Sequence, residues 1–151
     1  MAITVRRVPH AGPDYEAAIV LRRAVLRTPL GLDFTAEQLA AEHGDTHFAA
    51  FDGDTLIGAV VMTPYDSAAV KLRQMAVSPD VQGQGVGAVL LRAFEAYAHE
   101  TGHSKIVLAA RVTAQRFYEA NGYATEGDVF EEVTIPHIRM TKTLAPDQKS
   151  L

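Results

Sequence analysis

Gln82-Gly83-Gln84-Gly85-Val86-Gly87 is the segment of this 151-residue chain whose residue types and spacing most plainly serve chemistry. Glycines at alternate positions let a backbone approach a ligand closely, and an apolar stripe beginning at Val86 sets a helix directly after them. The first N–H groups of a helix have no intrahelical partner, and its dipole adds about half a positive charge at that end. A strand, a glycine loop and a helix start therefore form a seat for phosphate oxygens. Gln82 adds an amide that can donate. Glycine also suits a flexible turn with no ligand, so the strand before the loop matters. Val70 and Leu72 set one alternation phase there and Met75 and Val77 the opposite one. A strand with one buried face cannot change phase without an extra residue, so a β-bulge is expected near Arg73-Gln74, with Leu72 and Met75 both facing the core.

Other residues carry weaker chemical signals. The Tyr118 phenol can deliver a proton to a departing group, or pack in the core with its hydroxyl bonded to backbone. His137 titrates near neutrality when unperturbed, which suits a general base, an acceptor pocket or a prop for the last strand. Glu131 and Glu132 are neighbours, so alternation sends one of them outward. His99-Glu100-Thr101-Gly102-His103 spells a zinc-protease motif, but that motif needs one continuous helix and Gly102 ends this one, so no metal is expected. Gly83-x-Gly85-x-x-Ala88 fits a dinucleotide fingerprint with alanine in third place. No second βαβ unit follows, and no acidic residue ends a strand about 20 positions on.

These residues need a scaffold. Ile3 to Arg7 alternates as a strand, and Tyr15 to Arg27 carries a helical stripe on which Arg22 falls, calling for a buried carboxylate or a snorkelled side chain. Thr35 and Gln38 form a capping box. His47 to Phe51 and Leu56 to Met62 read as a hairpin about Asp52-Gly53-Asp54. A helix over Val86 to Glu100 presents Val86, Val89, Leu90, Ala93, Phe94 and Tyr97. Ile106 to Ala109 is a wholly apolar strand, a helix spans Thr113 to Ala120, and strands near 124–130 and 138–142 close the chain. The order β-α-α-β-β-β-α-β-α-β-β implies an α/β mixed sheet with helices on both faces.

Composition bounds the partners. The 14 basic and 18 acidic side chains give a net charge of −4 with no basic run, against nucleic-acid binding. No apolar stretch reaches the ~20 residues of a membrane span. There is no cysteine, which fits a reducing cytoplasm.

Gln82, Gly85 and Gly87 meet the Gln/Arg-x-x-Gly-x-Gly/Ala signature of the GNAT superfamily of acyl-CoA N-acyltransferases, and the chain resembles that family over residues 47–142. The bulged strand and the run Phe117-Tyr118-Glu119 through Gly122-Tyr123 match as well. Segments 114–118 and 129–140 are similar to the ElaA-like subgroup. Near the N-terminus only Leu21-Arg22 and Val25 are similar, and 28–32 departs where the subgroup usually carries a Glu-Gln pair. The resemblance implies one GNAT-like domain over 1–144 with a tail at 145–151, and a central sheet splayed at the bulge. It implies N-acetyl transfer from acetyl-CoA to a primary amine by direct attack in a ternary complex. Backbone groups of Met75 and Val77 would pair with pantetheine. Gln82 and the amides of Gly83, Gly85, Val86, Gly87 and Ala88 would take the pyrophosphate. Tyr118 would protonate the leaving thiolate, with His137 as base or acceptor-site residue. A non-catalytic acyl-CoA sensor would keep the loop without a working acid, and an added strand pairing would allow a homodimer.

Overall fold

The computed structural model describes residues 1–145; apart from Ala145, the expected tail lies outside them. The described residues form seven strands, β1 (Ile3–Val8), β2 (Thr46–Asp52), β3 (Thr55–Pro64), β4 (Ala69–Val77), β5 (Lys105–Arg111), β6 (Ala124–Glu132) and β7 (Ile135–Thr143), and the helices α1 (Pro13–Leu26), α2 (Ala36–Ala40), α3 (Val86–Glu100) and α4 (Gln115–Ala120). The element order is the expected one. The sheet runs β1-β2-β3-β4-β5-β7-β6, parallel at β4–β5 and antiparallel at β1–β2, β2–β3, β5–β7 and β6–β7. By contact density the chain forms two compact units, one of Met1–Thr63 with Arg73–Phe94, the other of Pro64–Leu72 with Glu95 onwards.

In the first unit, β1 pairs with β2 from Ile3↔Asp52 to Val8↔His47. The β2–β3 hairpin closes at Gly53, whose φ of 60° suits a residue without Cβ. Val8, Ala49 and Phe51 form a buried cluster joined by Leu56, and Phe48 packs on Phe94 at 5.7 Å between ring centres. Gly58 marks a close approach: a Cβ there would meet Leu90 Cδ1 at 2.7 Å and Val86 Cγ1 at 3.1 Å, so α3 can lie this near β3 only over glycine. The α3 stripe is Val86, Leu90, Leu91, Phe94 and Ala98, all buried. Val89, expected on that stripe, is 37% exposed instead, because Leu91 fills the core on the other flank of the helix.

Thr35 and Gln38 cap α2 reciprocally, Gln38 N–H donating to Thr35 Oγ1 at 3.1 Å and Thr35 N–H to Gln38 Oε1 at 2.9 Å. This five-residue helix and the 3₁₀ turn Ala41–Gly44 after it bring Glu42 beneath α1. Arg22 donates to both Glu42 oxygens, at 2.8 and 2.6 Å, and Tyr15 O–H donates to Oε1 at 2.8 Å. Burial alone would raise the Glu42 carboxyl, but the hydrogen bonds and charge of Arg22, with the Tyr15 bond, hold it below the ordinary carboxylate range. The arginine on the apolar stripe thus has its buried carboxylate.

The second unit is built on β5, whose Ile106, Val107 and Leu108 are buried. Its N-terminal half pairs with Ala69–Leu72 of β4, and its whole length with β7. Glu95 accepts from Tyr123 O–H at 2.8 Å and from Lys142 Nζ at 3.2 Å, tying α3 to the last strand. β6 and β7 extend beyond the expected 124–130 and 138–142. They meet in a two-residue turn, Val133-Thr134, with φ of 43° and 69°. No helix among the described residues is long and apolar enough to cross a membrane.

Candidate active site

Gln74 has φ 58° in the middle of β4, which places the backbone irregularity where the phase slip put it. Leu72 is buried as expected, but Met75 is only half-buried and the next core residue is Ala76. The correction is one of phase: Val70, Leu72 and Ala76 are buried in one alternation, so the left-handed Gln74 does not carry the buried face over to Met75.

β4 ends at Val77, and Ser78 N–H is fixed to Ile57 C=O at 2.8 Å. A 3₁₀ turn, Pro79–Val81, follows, and Gln84 N–H reaches back to Val81 C=O at 3.3 Å. Gly83 and Gly85 have φ of 79° and 84°, the left-handed region that side chains disfavour, and a Cβ on either would meet nothing within 4 Å. The chain can thus turn twice and still present bare backbone to open space. The first helical bond of α3 runs from Val89 N–H to Gly85 C=O at 3.1 Å, so Val86, Gly87 and Ala88 carry N–H groups with no acceptor inside the helix. Val86 is buried and anchors the helix start, while Gly83 and Gly85 are exposed and Gly87 and Ala88 half-buried. Gln82 is exposed, and its amide makes a long 3.4 Å bond to Val77 C=O. Met75, Val77 and the loop residues are consecutive in one unit. The exposed, left-handed Gly83 and Gly85 and the space beyond them fit a pyrophosphate.

Tyr118 and His137 belong to the other unit. Tyr118 is 6% exposed, with its ring edge-on to Phe117 at 5.1 Å and to Tyr123 at 5.6 Å. Its hydroxyl has no hydrogen-bond partner among the described residues. Burial pushes the phenol above its ordinary range, so it stays protonated. His137 is buried, and Nδ1 lies 2.9 Å from Ile135 C=O. That carbonyl can only accept, so Nδ1 donates to it and Nε2 is left as the ring's other site. Nε2 faces the Glu132 carboxylate at 3.7 Å, beyond hydrogen-bond reach. Glu131 and Glu132 are both exposed. α3 stops at Glu100, and Gly102 at φ 88° turns the chain before His103, so His99 and His103 do not share a helix face. Composition and spacing marked Gln74 only as a bulge position; that its carboxamide oxygen is buried without a partner had no signal in the sequence.

The fold and the loop together define the class. Escherichia coli ElaA shares the fold, with a TM-score of 0.76 at 23% identity over 93% of this chain and 99% of that one. An aminoglycoside 6'-N-acetyltransferase complexed with coenzyme A does so with a TM-score of 0.80 at 19% identity, over 95% and 98%. In sequence, the uncharacterised N-acetyltransferase YjcF of Bacillus subtilis is 30% identical over 102 residues, 67% of this chain and 72% of that protein. Residues 26–144 match the acetyltransferase (GNAT) domain model, and the chain belongs to that family.

Proposed function

We propose that this protein transfers an acetyl group from acetyl-CoA to a primary amine by direct attack in a ternary complex. The observation that carries the reading is the exposed loop, in which Gly83 and Gly85 at positive φ leave open space before the first turn of α3. Gln82 and the amides of Gly83, Gly85, Val86, Gly87 and Ala88 bind the pyrophosphate, and backbone groups of Met75 and Val77 pair with pantetheine. Acetyl-CoA supplies an acyl carbonyl activated as a thioester. Tyr118 holds a proton at its phenolic oxygen and delivers it to the departing sulfur. The unpartnered hydroxyl supports this, since nothing among the described residues competes for that proton. His137, with Nδ1 held by Ile135 C=O, accepts a proton from the amine at Nε2 or orients it. The absence of cysteine suits a reducing cytoplasm.

Gly85→Glu tests the binding step. The substitution puts a carboxylate where phosphate charge should sit. At ~6 Å and an effective dielectric of about 20 to 80, each unit of like charge costs about 0.7–3 kcal/mol. Calorimetry should show CoA affinity weakened at least several-fold in a protein whose circular dichroism is unchanged. Unchanged affinity removes the loop from the site. A panel of primary amines with acetyl-CoA, followed by thiol release, tests turnover. CoA binding without any release would mark a sensor.

A further inference from the structure

Gln74 bears two costs at one residue. Of the non-glycine residues with positive φ, Val133 and Thr134 close a hairpin, where both positions must be left-handed. Gln74 closes no turn; it holds φ 58° within a strand. Its Oε1 is also buried with no hydrogen-bond partner. The amide nitrogen finds none among the described residues either, so exchanging the two atoms would leave the same position unpaired. A buried carboxamide normally finds a partner, and backbone strain collects where a ligand is gripped. The residue stands directly before Met75, on the strand that leads into the glycine loop.

We propose that the Gln74 carboxamide oxygen accepts a hydrogen bond from an N–H group of the bound ligands and so positions them. The proposal rests on the acetyl-transfer reading, which brings two N–H donors to this unit: the amides of pantetheine and the acceptor amine. The side chain as a whole is only half-buried, so a turn about its terminal bond brings this unpaired oxygen to either donor.

Gln74→Met keeps the length of the side chain and removes the acceptor. Gln74→Gly removes the side chain and relaxes the backbone, and serves where Met impairs folding. Melting temperature should equal or exceed that of the unsubstituted protein, while ligand affinity falls by about three- to tenfold, the worth of one hydrogen bond. Weaker CoA binding by calorimetry assigns the bond to pantetheine. Unchanged CoA affinity with a raised KM for the best amine of the panel, kcat staying within about twofold, assigns it to the acceptor. A folded variant equal to the parent in CoA affinity and in the KM of every amine it acetylates overturns the proposal, as does a melting temperature that falls in step with affinity. If CoA fails to bind the unsubstituted protein, the acetyl-transfer reading falls first, which separates the two failures.

Discussion

Tyr118→Phe separates chemistry from packing. Phenylalanine keeps the ring and its contacts with Phe117 at 5.1 Å and Tyr123 at 5.6 Å, and removes only the hydroxyl. Where a buried hydroxyl is bonded, its loss costs about 1 kcal/mol; where it is unpaired, the loss relieves a desolvation cost of about 1–3 kcal/mol. The Tyr118 hydroxyl makes no such bond among the described residues, and its oxygen is not sealed from solvent, so neither cost applies in full. At roughly 2–4 °C per kcal/mol for a chain of this size, melting should hold within a few degrees. The chemical step should suffer: losing a general acid removes about 10²- to 10⁴-fold in kcat, or ~2.7–5.4 kcal/mol of barrier lowering. The assay is thiol release at saturating acetyl-CoA and amine, beside a thermal melt. The pH arm follows from burial, which raises the folded-state pKa of Tyr118 above its ordinary value near 10. Deprotonation of Tyr118 should therefore not lower kcat through pH 10. Its contribution to stability is complete below the unfolded pKa near 10 and is lost as pH rises beyond it, because the unfolded phenol ionises first. The variant should lose part of that alkaline slope. Tyr15, raised by burial and its bond to Glu42, keeps the rest. A kcat within about twofold of the parent, with chemistry rate-limiting, refutes the general-acid role. A melting point lowered by several degrees refutes the unpaired hydroxyl.

Three further outcomes are expected. Arg22→Met strands a buried carboxylate and should cost about 3–5 kcal/mol in urea titration, most of it recovered in Arg22→Met/Glu42→Leu; equal losses in single and double variants would show the pair is not coupled. Because the folded Glu42 pKa is depressed, the stability it supplies is present above about pH 4.3 and lost as pH falls through the folded value, and Glu42→Gln should flatten that acid limb. Val133→Asn with Thr134→Gly gives the β6–β7 turn residues that accept positive φ and should raise stability by about 1–2 kcal/mol in a thermal melt; a lower melting point would mean the β-branched pair is not strained.

The helix that opens the loop was legible to the residue, because Gly85 and Gly102 punctuate it at both ends. The Thr35–Gln38 cap was legible for the same local reason. The closing hairpin was cut short in the reading because Val133 and Thr134 advertise strand while performing a turn. Glu42 was invisible as the partner of Arg22: their contact joins residues 20 apart through a short helix, and no period reports such a pairing. Val89 and Met75 failed alike, since hydrophobicity does not say which flank of a helix is pressed against a strand, or whether an irregular strand keeps its buried phase. In the site, glycine spacing disclosed the loop, whereas the unpaired oxygen of Gln74 and the unpaired hydroxyl of Tyr118 depend on which neighbours the fold fails to supply.

The division of β4 between the two compact units also governs how the chain can be made. The boundary is crossed at 63/64, 72/73 and 94/95, so each unit is threaded from two separate stretches. During synthesis the first unit lacks its glycine loop and half of α3 until Phe94 has left the ribosome. Residues Ala69–Leu72 emerge well before Lys105–Leu108, the segment they pair with. Neither unit can be expressed as one contiguous fragment, and a truncation meant to isolate the loop would deliver a strand severed from half of its ladder.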